Sequence, residues 1–207
     1  MLDLTLRLDR SLGERMEVAA YEADFAVHRE QTHGRDGWKF ERRQYFEEDD
    51  TSREALARGE WSEAVRLLEN DRPELLAAAA ADRRRGHYFR RLRVVEEPLN
   101  PYMQWELHAL RMQAECGRKV RVVDAGSVRA MERDGVLPEV IVLGDRVLYE
   151  IVYSETGVLL GAIRFTDAEV IRHWAHFIED LYGSGEDAIS YFDRRVAPLP
   201  APQISGR

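Results

Sequence analysis

Over roughly the first ninety residues, helix formers and spaced apolar residues follow one another in segments bounded by helix-capping and helix-breaking residues. Glu14 to Glu30 predicts one helix, which Gly34 and Gly37 end. The aromatic-rich segment WKFERRQYFEEDD, starting at Trp38, fits a strand or a short helix equally. Ser52 is a candidate N-cap for REALARG, with Gly59 as its stop. Ser62 stands before EAVRLLE, and PELLAAAAADRRRG puts Pro73 at a first helical position and Gly86 just past the end.

After Gly86 the period changes. FRRLRVV reads as a strand, a proline-punctuated loop follows, and Pro101 to about Cys116 reads as a helix capped by Gly117. KVRVV is a second strand. A strand–helix–strand run of this length is a βαβ unit with parallel strands and a right-handed crossover. EVIVL, uninterrupted in its apolar character, predicts a strand buried on both faces. The Gly144-Asp145 turn leads to a strand with Val147, Tyr149, Ile151 and Tyr153 on one face and Arg146 and Glu150 on the other, predicting half burial. Thr156-Gly157 turns into VLLGAIRF, Thr166 or Asp167 caps a helix running to about Tyr182, and EDAISYFDRRV predicts a last helix. The expected fold is α+β or α/β. A mainly helical region, 1–88, packs on a mixed α/β region, 89–197, whose sheet holds one βαβ unit and an antiparallel meander. C-terminal helices follow, then a flexible tail over 198–207.

The helix from Pro101 is apolar on two opposed faces. Met103, Leu107, Leu110 and Ala114 form one stripe, and Trp105 and Met112 lie almost opposite. Such a helix is covered on both sides, here by the sheet and by either the N-terminal helices or a partner, with the internal seam preferred. Glu106 and His108, two apart, do not face each other and form no dyad on this helix. Glu97 ends the first strand of the βαβ unit, where open α/β sheets bind ligands, although a loop carboxylate in water is the simpler reading.

Composition narrows the classes. The chain has 207 residues, enough for a real core, and a net charge of −8, which argues against a dedicated nucleic-acid binder. Its one cysteine excludes an internal disulfide and an all-cysteine metal site within one chain. The absence of a long apolar run and the character of the N-terminus predict a cytoplasmic protein with no membrane span. No cofactor is expected: phosphate-binding glycine loop, G-x-S-x-G elbow and H-E-x-x-H are all missing. Glu169, His173, His176 and Asp180 share one helical edge with ligand-like spacing for a divalent ion, but they also make i,i+4 pairs of a solvated face, the preferred reading. The basic cluster from Arg83 to Arg93 predicts pairing with acids of the same chain or of a partner ahead of nucleic-acid contact.

Taken together, RLRVVEEPLNPYMQWELHALRMQAECGRKVRVV and LPEVIVLGDRVLYEIVYSETGVLLGAIRFTD resemble an uncharacterised actinobacterial family, a domain of unknown function often encoded beside helix-turn-helix regulators. The resemblance runs from WKFERRQYFEE through GEDAISYFDRRV. It places Glu97, Pro98, Tyr102, Trp105, Glu106, Asp145 and Tyr149 on characteristic positions and implies no catalytic residue. The C-terminal half is also faintly similar to one half of a phospholipase D-like fold, but the H-x-K motif of those enzymes is missing. The expected function is a non-enzymatic regulatory or adaptor protein that binds another protein, such as a helix-turn-helix regulator. Its contact surface would be the loop and helix start at Glu97, Tyr102, Trp105, Glu106 and His108. The alternative is an enzyme or small-ligand sensor using a cleft between the helical region and the sheet, lined by Glu97, Tyr102 and His108.

Overall fold

The computed structural model describes residues 6–204. Its centre is one mixed eight-stranded sheet, and the fold is α+β with C-terminal helices. In chain order the elements are β1 (Glu14–Met16), α1 (Val18–Gln31), β2 (Gly37–Glu41), α2 (Thr51–Ala57), α3 (Trp61–Leu68), α4 (Arg72–Arg85), β3 (Phe89–Val95), α5 (Pro101–Glu115), β4 (Lys119–Asp124), β5 (Glu139–Leu143), β6 (Val147–Tyr153), β7 (Leu159–Phe165), α6 (Ala168–Ser184), β8 (Glu186–Asp187) and α7 (Ala188–Arg195). The strand order is β1-β7-β6-β5-β2-β3-β4-β8. β3, α5 and β4 form the expected βαβ unit with parallel strands, and β5, β6 and β7 form the antiparallel meander.

Several local expectations need correction. The helix expected from Glu14 begins at Val18, because residues 14–16 pair antiparallel with β7. Gly161 permits that approach: its φ is +126° and an added Cβ would lie 2.1 Å from the Met16 carbonyl oxygen. The ambiguous Trp38 segment supplies β2, which sits between β5 and β3, so the sheet draws strands from both sides of residue 88. Asp50, not Ser52, caps α2 by accepting from the Arg53 amide at 2.8 Å. α3 starts at Trp61, one residue before Ser62. β6, expected to be half-buried, is covered on both faces from Val147 to Ile151, including Glu150, which Arg10 meets at 2.6 Å. In the tail, Ile204 is half-buried against the core.

Alternation along the strands makes the layers. Trp38, Phe40, Leu92, Val94, Val140, Val142 and Leu148 pack under α6, whose buried edge is Ile171, Trp174 and Ile178. On the opposite face α1 covers the meander through Tyr21 and Phe25. α5 covers β4 and its neighbours, and α3, α4 and α7 pack outside α5. The two-faced apolar pattern of α5 is therefore an internal seam. Met103, Leu107 and Leu110 are buried, and Trp105 donates from Nε1 to the Ser52 hydroxyl of α2 at 2.7 Å.

Candidate functional site at the carboxyl end of the central strands

β2 and β3 run parallel with Lys39 beside Arg91 and Glu41 beside Arg93. Trp38, Phe40, Leu92 and Val94, which alternate with them, feed the apolar layer under α6, so these four charged side chains fall on the α5 face. α5 answers with Glu106, which is 3 % exposed. Arg93, fully buried at 0 %, donates through Nε to Glu106 Oε2 at 2.9 Å and through Nη1 to the carbonyls of Glu41 and Val94 at 3.3 Å. Arg91 bridges Glu41 at 2.9 Å and Glu106 at 3.2 Å, and Lys39 Nζ lies 2.7 Å from Glu41. Burial pushes the Glu41 carboxyl upward, but Arg91, Lys39 and Arg93 outweigh it and hold it well below the ordinary range. A buried ion cluster of this kind seldom adds stability over apolar side chains of the same shape. The cluster joins α5 to β2 and β3 through Glu106, Arg91 and Arg93.

That seating places the start of α5 beside the chain leaving β2. Gln44 ties the two together: its Nε2 donates to the Val94 carbonyl and its Oε1 accepts from the Glu96 amide, both at 2.9 Å. Asn100 Nδ2 donates to the Gln44 carbonyl at 2.9 Å, while its Oδ1 caps α5 at the Met103 amide. Tyr45 thereby comes to rest with its ring centre 5.1 Å from that of Tyr102. Arg53, in the first turn of α2, sets its guanidinium carbon 5.1 Å from the Tyr45 ring centre and 5.7 Å from that of Tyr102.

Tyr45, Arg53, Asn100 and Tyr102 wall an open cavity of about 760 Å³, whose lining also includes Leu56, Thr156 and Ile204 and the acidic residues Glu47 and Glu155 at its rim. The size suits a small organic molecule. Arg53 is 8 % exposed, and its nearest carboxylate, Glu47, is half-exposed and 3.7 Å away. Arg53 Nη2 donates to the Tyr45 hydroxyl at 2.5 Å, but its Nε and the Tyr102 hydroxyl have no hydrogen-bond partner among the described residues. Burial, followed by the nearby Glu106 and Glu48 carboxylates, pushes the Tyr102 phenol well above its ordinary value and keeps it neutral. A guanidinium pressed against two aromatic faces is chemistry for binding a flat acidic group.

The sequence-derived residues separate in space. Tyr102 is a wall of the cavity at 3 % exposure, and Trp105 is buried in the α2 seam. Glu106 points to the sheet. Glu97 is occupied by Arg195, whose Nε is 2.8 Å from its Oε1, and by the Tyr191 hydroxyl at 3.3 Å. His108 lies between Trp61 and Phe192, with ring centres at 5.4 and 4.6 Å, and burial and then Arg111 lower its pKa. Glu97 and His108 therefore do not line the cleft with Tyr102, and Trp105 and Glu106 offer no contact surface. Glu169, His176 and Asp180 are exposed along α6, with His173 half-buried. Among the described residues no group of three His, Cys, Asp or Glu side chains is placed to hold a metal. Of the basic cluster the strand half pairs internally: Arg90 meets Asp36 at 2.6 Å, and Arg91 and Arg93 belong to the buried network, while Arg83 and Arg84 at the end of α4 are exposed.

Tyr45, Arg53, Glu41, Arg91 and Arg93 were not singled out as one site by sequence. The available signal was period-two charge on both KFE and RLR, which predicts a charged face only once the two strands are known to be neighbours. Arg53 carried no such signal.

The fold and this site define a mixed α+β domain with a charged seam and a cavity at its strand ends. The chain belongs to the DUF6879 family, a domain of unknown function, whose model matches residues 23–193, from within α1 to within α7. A comparison with curated proteins gives no match. Among the described residues no helix is long and apolar enough to cross a membrane.

Proposed function

We propose that the protein is a non-enzymatic regulatory module of the cytoplasm whose input is a small aromatic acid bound in the cavity between Tyr45, Arg53 and Tyr102. The observation that carries this reading is Arg53 itself, a guanidinium more than nine-tenths buried and stacked on two rings, whose ion pair to the half-exposed Glu47 is loose at 3.7 Å. A carboxylate or phosphate would accept from it, and the attached ring would lie along Tyr45 or Tyr102. The output is contact with a protein, for which the family resemblance and the acidic net charge favour a helix-turn-helix regulator with a basic face.

A thermal-shift series tests the input. Phenyl phosphate and phenylacetate should raise the melting temperature of the wild-type protein in a saturable way, because a ligand bound only by the native state stabilises it. Benzyl alcohol, which lacks the charge, should not. Equal shifts with all three, or none, would remove the reading. Light-scattering chromatography with the neighbouring regulator tests the output, where two unshifted peaks would exclude that pairing.

A further inference from the structure

A second cavity, of about 430 Å³, lies where β5 begins and β6 ends, and it shares no lining residue with the first. Most charges around it are already matched. Arg10 holds Glu150 through two nitrogens, at 2.6 and 3.0 Å, and Arg7 lies 3.3 Å from Asp134. Glu139 and Arg43 are different. Glu139 is 5 % exposed, and its Oε1 accepts from the backbone amides of Arg42 and Arg43 at 2.8 and 2.6 Å. Its Oε2 is buried and has no partner among the described residues. Arg43 donates through Nη2 to the carbonyls of Ser154 and Glu155 at 3.2 Å, while its buried Nε likewise has none.

One cavity thus brings together a carboxylate oxygen without a donor and a guanidinium N–H without an acceptor. Each is costly to bury unpaired, the more so where a charge is involved. A ligand that meets both groups with opposite charge carries an ammonium and a carboxylate. Leu8, Val136, Leu137 and Val152 make much of the remaining wall apolar, so the rest of the ligand is hydrocarbon.

We propose that this cavity binds a free α-amino acid with an aliphatic side chain, its ammonium on Glu139 and its carboxylate on Arg43. The two orphaned atoms are shielded from bulk water, so seating requires both side chains to turn into the space they line. The site stands independently of the aromatic-acid cavity.

Isothermal titration at pH 8 separates the two contacts. L-Leucine and L-valine are compared with 3-methylbutylamine, which lacks leucine's carboxylate, and 4-methylpentanoate, which lacks its ammonium. At least one amino acid should bind, and leucine should bind at least tenfold more tightly than either single-group analogue. Glu139→Gln keeps an oxygen for the two backbone amides but replaces the free acceptor by a donor. It should weaken leucine at least tenfold, to the level of 4-methylpentanoate, with an unchanged circular dichroism spectrum. Absence of heat with both amino acids overturns the proposal, as does equal binding of leucine and its analogues. The analogue comparison uses the wild-type protein and decides the matter even if the variant fails to fold.

Discussion

Glu106→Gln tests the buried seam most sharply. The substitution keeps the volume of the side chain but removes the charge that Arg93 meets at 2.9 Å and Arg91 at 3.2 Å, and it can turn an amide N–H₂ toward a guanidinium. Arg93 is fully buried and has no access to water. Breaking one side of such a pair costs about 3–5 kcal/mol. Arg93 keeps the carbonyls of Glu41 and Val94, and Arg91 keeps Glu41, so the lower end, about 3 kcal/mol, is expected. With a urea slope of about 2–3 kcal/mol/M, the unfolding midpoint should fall by roughly 1–1.5 M. Removing both partners tells a different story. Arg93→Met with Glu106→Leu replaces the pair by apolar side chains, and the double variant should return to within about 2 kcal/mol of wild type. The assay is a double-mutant cycle in urea followed by circular dichroism. A midpoint shift below about 0.3 M for Glu106→Gln would refute the argument, and so would a double variant whose loss equals the sum of the single losses.

Other expectations follow from the same structure. Burial pushes the Glu139 carboxyl up to about 7, against the opposing pull of Arg93. The folded protein therefore holds a proton that the unfolded chain has already released above about pH 4.5, and stability contributed by this group falls as pH rises from about 4.5 to 7. Relative to wild type, Glu139→Gln should lack this decline, worth roughly 2–4 kcal/mol, and parallel stability–pH curves would show that the group does not titrate this way. Ser52→Ala leaves the buried Trp105 indole N–H without its acceptor and should cost about 1–3 kcal/mol in chemical denaturation, with no measurable loss counting against the seam. Gly161→Ala drives a Cβ into the Met16 carbonyl and should detach β1 from β7, read as faster amide exchange at residues 14–16; unchanged protection would contradict the close approach.

Much of the frame was legible from local pattern. The βαβ unit, the meander, α5 as a two-faced helix and α6 all follow from periodicity and capping residues close in sequence. The central position of β2 was not, because KFE looks amphipathic and its edge partners β5 and β3, like the helices α6 and α5 that cover its two faces, lie far along the chain. Glu150 misled for a similar reason: a carboxylate usually marks the wet side of a strand, but Arg10, 140 residues away, covers it. Tyr102 belonged to the right region for a structural reason, since it opens the helix beside the strand ends. Glu97 and His108 were drawn into the candidate cleft by sequence proximity, and α7 took both, Glu97 through Arg195 and Tyr191 and His108 through Phe192. The cavity itself depends on Tyr45 and Arg53, held in place by turns and ring contacts that have no sequence period.

The central claim, that Arg53 anchors an acidic ligand between Tyr45 and Tyr102, is tested most directly by calorimetric titration of phenyl phosphate into wild-type protein and the Arg53→Gln variant. The account predicts saturable, one-to-one binding to the wild type that weakens at least tenfold in the variant. Binding of equal strength to both proteins, or none to the wild type, would contradict it.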